Sequence, residues 1–178
     1  MPTVYDIDKL PKTQVVPQGA EYTPAIIRLH RTIPHTVPFL DQTITRICLF
    51  NLRYGGNPTE LREIIWNRFA GGIQSMGLFA DIQQGQVVGH VLGFVERWDG
   101  KSVAWISQAE HDYHMTRQIR DLWLAYIKDW IRQVNVSVQD PTKHIKEILF
   151  ITKRPSDAWV RHTGFEPYRT IMRMEVQA

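Results

Sequence analysis

The chain has 178 residues, 43% of them hydrophobic and 22% charged, proportions that suit one globular domain with a single core. Its net charge of +3 permits an acidic ligand but does not by itself point to nucleic acid, and no apolar stretch approaches the roughly 20 residues that cross a bilayer. The N-terminal MPTVYDIDKLPKTQ lacks a continuous apolar segment, so no signal peptide is expected. One cysteine, Cys48 in ICLF, excludes an intramolecular disulfide framework and fits a reducing, cytoplasmic setting. It reads as a small buried side chain.

Residues 1–24 hold Pro2, Pro11, Pro17 and Pro24 with little periodicity and read as an extended arm available to a protein partner. The single domain is expected over 25–178, starting with a strand at AIIRLHRTI (25–33). Val37, Leu40, Ile44 and Ile47 recur at helical spacing, predicting a helix over 37–52. A second helix starts at Asn57-Pro58, with Glu60 where a capping box places its acid. Its apolar face is Leu61, Ile64, Ile65 and Phe69, and Gly71-Gly72 stops it.

A β-meander follows: strands at 77–82, 86–97 and 102–109, joined by a Gln-Gly turn and then by Asp99-Gly100. Ile119, Leu122, Trp123, Tyr126, Ile127, Trp130, Ile131 and Val134 then lie on one helical face, a core stripe. IKEILFIT (145–152) reads as a strand covered on both faces. Pro155 opens a short helix that Gly164 ends, and FEPYRTIMRMEV closes the chain in one or two strands. The class is mixed α/β: an antiparallel first part, then a long crossover helix joining two parallel strands.

Chemistry concentrates in AEHDYHMTRQIR (109–120), at a strand-to-helix turn, a place where α/β proteins hold anions. Arg117 and Arg120 fall in the first turn of the helix, where cations oppose the helix dipole unless compensated. A bound phosphate would compensate them; so would acids such as Asp112 and Asp121. Glu110, His111, Asp112 and His114 include metal-ligand types, but no distant Cys or Cys/His pair completes a zinc set. Ser107 lacks a G-x-S-x-G elbow. His90 reads as a satisfied sheet histidine, and Glu96 and Asp99 as hairpin residues. Lys143, His144, Lys146, Lys153, Arg154, Arg161 and Arg169 are scattered by alternation and helical phasing, which argues against a nucleic-acid groove.

The element order, with AWVRHTGFEPYRTIMRMEV at its end, resembles the GNAT superfamily of acyl-CoA N-acyltransferases over roughly residues 22–176. The resemblance implies a central, mostly antiparallel sheet splayed between its fourth and fifth strands and flanked by about four helices. Acetyl-CoA or another acyl-CoA would lie in the gap between 102–109 and 145–152. The family motif [QR]-x-x-G-x-[GA] at the helix start falls here on Met115, Gln118 and Arg120, and all three depart from it. By this register Gln108, Ala109, Glu110, Met115, Arg117, Gln118 and Arg120 would border the cofactor, with a backbone N–H in Gln108 to Glu110 holding the thioester carbonyl.

Acylation of an amine needs a base, and Glu110 and His111 are the two candidates, acting directly or through water. The family's usual acidic tyrosine falls on Val160, which has no proton to give; Trp159 and Tyr168 lie nearby in sequence. Two functions follow. One is transfer of an acyl group from acyl-CoA to a primary amine of a small molecule or protein. The other is a GNAT-like domain that no longer catalyses and serves as a binding or structural part, the type associated with phage genomes and, if phage-derived, with virions. Neither reading involves a membrane.

Overall fold

Two Xaa-Gly pairs shape the middle of the sheet. Gln84-Gly85 and Asp99-Gly100 all have positive φ (50° and 75°, 48° and 77°), the pattern of type I′ turns, whose twist matches that of antiparallel strands. The computed structural model describes residues 22–112 and 117–150. Its sheet has five strands in the order β1-β2-β3-β4-β5: Ile26–Arg28, Met76–Gln83, Gln86–Trp98, Lys101–His111 and Glu147–Phe150. The first four are antiparallel neighbours, and β5 pairs with β4 in parallel, from Val103↔Glu147 to Ile106↔Phe150.

Among the described residues three α-helices flank this sheet, α1 at Val37–Arg53, α2 at Pro58–Arg68 and α3 at Arg117–Ser137. Alternation of side chains along a strand gives each layer its own face. Leu78, Ala80, Leu92 and Phe94 pack with Leu40, Ile44 and Ile47 of α1 and Leu61 and Ile65 of α2. Phe79, Val91 and Ala104 pack with Ile119, Trp123, Ile127, Trp130 and Val134 of α3. The apolar stripe of α3 is thus core except at Tyr126, which lies at its edge and is exposed, and α3 makes the crossover between the two parallel strands. This is the mixed α/β class expected.

Two β-bulges reset the alternation. One lies between Asp81 and Ile82, where Val88 of β3 is the extra residue. The other pairs Leu92 with Gln108 but Gly93 with Ile106, leaving Ser107 of β4 as the extra residue. Because one extra residue inverts the facing of everything beyond it, Gln108 and Glu110 turn toward α1. Ala109 and His111 turn toward α3.

Several expectations change. The first strand spans three residues rather than 25–33: after Leu29 N–H donates to Leu78 O (2.8 Å), the Thr36 hydroxyl accepts from His30 N–H and bends the chain into a 3₁₀ turn at Pro34–Thr36. Asn57 caps α2 by accepting from Thr59 and Glu60 N–H (3.1 and 3.2 Å). That helix gives way at Phe69 to a 3₁₀ segment, Phe69–Gln74, kinked at Gly72. Ile64 belongs to the exposed side of α2, since Leu61, Ile65 and Phe69 already fill the sheet-facing side. Strand β4 continues to His111, so Glu110 and His111 are strand residues and not loop residues. The four residues of β5 are only half-buried. The expected helix at 155–163 and the final strands, with Trp159, Val160, Gly164-Phe165 and Tyr168, lie outside the described residues, as do His114 and Met115.

Candidate active site

The end of β4 carries two polar clusters, one on each side of the sheet. On the α1 side Glu110 sits near two guanidinium groups: Arg46 Nη2 is 3.8 Å from Glu110 Oε2 and Arg53 Nη1 is 3.5 Å from Oε1. Arg46 is buried at 7% exposure because it lies on the sheet-facing side of α1. Its guanidinium grips Asp112 with two bonds (3.0 and 2.8 Å) and also donates to Val87 O (3.1 Å). Burial raises the Glu110 carboxyl above its ordinary value and the Asp112 carboxylate adds to this, while the Arg46 and Arg53 cations and His111 oppose it. The Glu110 side chain keeps 17% of its surface open.

Next to it, His90 is fully buried. Its Nε2 meets Gln108 Oε1 at 3.3 Å, and the edge of Phe50 faces its ring. Its Nδ1 has no hydrogen-bond partner among the described residues. The expected satisfied histidine is therefore satisfied at one nitrogen only. Burial pushes its imidazole down to about 3, with the Arg46 cation acting in the same direction, so it is a neutral group.

On the α3 side, three strands contribute one row: Asp81 of β2, Gly89 of β3 and His111 of β4 are cross-strand partners. The His111 imidazole leans over Gly89, where a Cβ would fall 2.3 Å from its Cδ2. This brings Nε2 to 3.1 Å from Asp81 Oδ2, with both side chains wholly enclosed. Tyr22 completes the group: its hydroxyl donates to Asp81 Oδ2 and lies 2.9 Å from His111 Nε2. Asp81 Oδ1 accepts from Ala25 N–H (2.9 Å) and from the Gln83 amide (3.0 Å). Burial works against the Asp81 carboxylate, but the bonds from His111, Tyr22, Ala25 and Gln83 outweigh it and hold the carboxyl below its ordinary value.

The candidate base residues, Glu110 and His111, are therefore neighbours in sequence on opposite faces. Between the two clusters β4 is open: Ser107 and Ala109 are exposed, while Gln108 is buried. The described parallel ladder with β5 ends at Ile106↔Phe150, and β4 runs on to His111.

At the start of α3, both arginines reach Asp121: Arg117 Nε at 3.6 Å and Arg120 Nη2 at 3.5 Å. Asp112, the other acid considered for them, is committed to Arg46. Arg117 is highly exposed and Gln118 exposed, whereas Arg120 is half-buried, and its Nε lies buried without a hydrogen-bond partner among the described residues. A buried, unmatched guanidinium N–H at a helix start is the donor type that an anionic group would complete. Glu96 pairs with Arg68 (2.5 Å) and is not a turn residue, while Asp99 serves the turn. Among the described residues no group of three or more His, Cys, Asp or Glu is placed to hold a metal ion.

Sequence reasoning missed Asp81, Tyr22 and Arg46. Asp81 is a lone acid in an otherwise apolar strand, GLFADI. That was a readable signal, since a buried acid demands partners. Tyr22 lay in a proline-rich stretch and Arg46 on an amphipathic helix, and neither carried a mark of its own.

No family model matches the sequence, and a comparison with curated proteins gives no match. The three-dimensional comparison is informative. AAC(6')-Iy, in complex with the bisubstrate analogue CoA-S-monomethyl-acetylneamine, matches 88% of this chain and 100% of its own at 12% identity and a TM-score of 0.59. This chain has the GNAT fold. Glucosamine-6-phosphate N-acetyltransferase from Arabidopsis thaliana matches with 8% identity, covering 88% of this chain and 100% of that one, with a TM-score of 0.52. The ribosomal-protein-alanine N-acetyltransferase of Brucella melitensis biovar Abortus 2308 gives 10% identity, the same coverage and 0.51.

Proposed function

We propose that the protein is an N-acyltransferase that moves an acetyl or similar group from acyl-CoA to a primary amine. The observation that carries this reading is the open stretch of β4 at Ser107 and Ala109, beyond the described pairing with β5. A carboxylate of raised pKa stands on one side of it and a buried imidazole on the other. The fold is shared with acetyltransferases, one of them seen with a coenzyme A bisubstrate analogue.

Acyl-CoA supplies an activated thioester, and Arg117 and Arg120 are the residues suited to its phosphates. In the reaction the amine nitrogen bonds to the acyl carbon and the carbon–sulfur bond breaks. The ammonium gives up two protons; one ends on the thiol and one is released. Glu110 suits the first deprotonation: its side chain is partly open, and its raised affinity for a proton moves it toward the range of an effective base. His111 is the second candidate, on the enclosed side. The departures at Met115, Gln118, Arg120 and Val160 favour the alternative of a binding domain without turnover.

Titration with acetyl-CoA, followed by thermal unfolding, separates the two. Cofactor at 100 times its Kd stabilises the fold by about 2.7 kcal/mol; no shift at millimolar acetyl-CoA removes the enzyme reading. With a primary-amine panel that includes aminoglycosides, release of free thiol measures turnover. Glu110→Gln is expected to lower it about a hundredfold; full turnover in that variant removes Glu110 as the base.

A further inference from the structure

Among the described residues, four charged side chains meet on the α1 side of the end of β4, and they divide into a closed pair and an open pair. Arg46 and Asp112 form the closed one. Two bonds of 3.0 and 2.8 Å join them, and Arg46 spends a donor on Val87 O as well. Arg46 does lie 3.8 Å from Glu110, but through the same Nη2 that binds Asp112 at 2.8 Å. Glu110 and Arg53 form the open pair. Their one contact is long, Arg53 Nη1 to Glu110 Oε1 at 3.5 Å, and both side chains reach solvent, Arg53 with 39% of its surface. Among the described residues the Arg53 guanidinium has no other hydrogen bond or ion pair. Nor does its place depend on Glu110, since a cation in the last turn of α1 is favoured by the helix dipole. The open part of the site thus offers one carboxylate and one underused guanidinium side by side.

We infer that the acceptor is an amine carrying an anionic group, a carboxylate or a phosphate, a few bonds from its nitrogen, and that Arg53 is the residue that selects it. The ammonium meets Glu110, and the anionic group meets the planar fork of Arg53, whose donors match a carboxylate or a phosphate. Because the two residues already touch, the two charges of the ligand must lie close together. A polycation fits less well: a second ammonium beside the first meets Arg53, and like charges set against each other oppose binding. Proton transfer points the same way. Once Glu110 takes the proton of the ammonium it no longer neutralises Arg53, and the anionic group of the acceptor takes over that task. That the ligand is acylated rests on the function proposed above; that the open pair binds a ligand of this charge pattern does not.

Two matched pairs of amines test this, by thiol release from acetyl-CoA and by calorimetry of the unliganded chain: glycine against glycinamide, and 2-aminoethyl phosphate against ethanolamine. In at least one pair the anion-bearing member should show the larger kcat/KM and the tighter binding, by roughly ten- to a hundredfold, the range of a hydrogen bond between charged groups. The pair that shows it tells carboxylate from phosphate. In Arg53→Gln that advantage should shrink about tenfold, through KM rather than kcat, and Arg53→Lys should restore part of it. Comparing the ratio between wild type and variant cancels the different basicities of the amines, and unfolding temperatures confirm that both variants are folded. Neutral members handled as well as their partners, no binding or turnover of any of the four, or a ratio unchanged in folded Arg53→Gln each overturn the assignment. Turnover confined to aminoglycosides also overturns it, while keeping the acyltransferase reading. Tighter binding of the anion-bearing member with no turnover of any amine defeats the acyltransferase reading and leaves the charge assignment standing.

Discussion

The two sides of β4 solve the same problem in different ways. On the α3 side a buried acid, Asp81, is satisfied by hydrogen bonds from four residues, and its carboxyl is held below the ordinary range. On the α1 side Glu110 has two cations within 4 Å, yet burial dominates and its carboxyl is raised. The difference lies in geometry. Short, directed hydrogen bonds favour a carboxylate strongly, whereas guanidinium groups at 3.5 and 3.8 Å, one of them already engaged with Asp112, contribute only diffuse attraction. A carboxylate fully satisfied by hydrogen bonds serves to hold something; one left partly unsatisfied is ready to take a proton.

The largest expected effect comes from breaking the α1 side. Arg46→Met leaves Asp112 with a mostly buried, unpaired carboxylate and should cost about 3 kcal/mol in urea unfolding. Replacing both partners, Arg46→Met with Asp112→Leu, should return much of that loss, because no charge is then stranded. A loss equal to or larger than that of the single variant would show that Arg46 acts through packing. On the other side Gly89→Ala should cost about 1–3 kcal/mol by overpacking, since the new methyl meets the His111 ring at 2.3 Å. Calorimetry showing no loss would mean that the ring is free to move off Asp81.

These two clusters were unequally legible from sequence. The meander, its two turns, the Asn57 cap and the α3 stripe follow from local chemistry and emerged as expected. Glu110 and His111 stood out by residue type, but AEHD looks like the polar start of a loop, and the structure keeps three of its four residues in the strand. Their facing was hidden altogether. Strict alternation from Ala104 and Ile106 would send Glu110 toward α3, and the bulge at Ser107 reverses that. A bulge is a property of strand pairing, so no local pattern announces it. The partners of Asp81 come from residues 22, 25, 83 and 111, a set that only register and tertiary packing bring together.

The opposite pKa directions give the comparison its pH test. Asp81 has a folded value below the ordinary 3.8, so its contribution is present at neutral pH and is lost as pH falls through the folded value. Glu110 is raised from 4.5. Between that value and its folded value the native state holds a proton that the unfolded chain has released, so its contribution falls as pH rises through the window. Asp81→Asn should therefore be less stable than wild type at neutral pH, with a deficit that closes only in strong acid. Glu110→Gln should gain on wild type as pH rises through mild acidity. Urea midpoints taken across the acid range read both signs, and parallel curves for the two variants would dissolve the distinction.

The smallest effect separates stability from binding at the start of α3. Arg117 is 84% exposed, and its partner Asp121 is also open to solvent. Such a pair contributes little, so Arg117→Ala should change unfolding stability by less than about 0.5 kcal/mol. Arg120 is half-buried with an unmatched Nε, and removing it lifts a cation from the positive end of the helix, which offsets the lost pair. Both arginines are therefore nearly silent in the unliganded protein. If they receive phosphates in place of the absent glycines, they should speak in the acetyl-CoA titration, where Arg120→Ala and Arg117→Ala each weaken binding and reduce its salt dependence. Equal affinity in wild type and both variants would assign them to Asp121 alone and return the cofactor's charge to other residues.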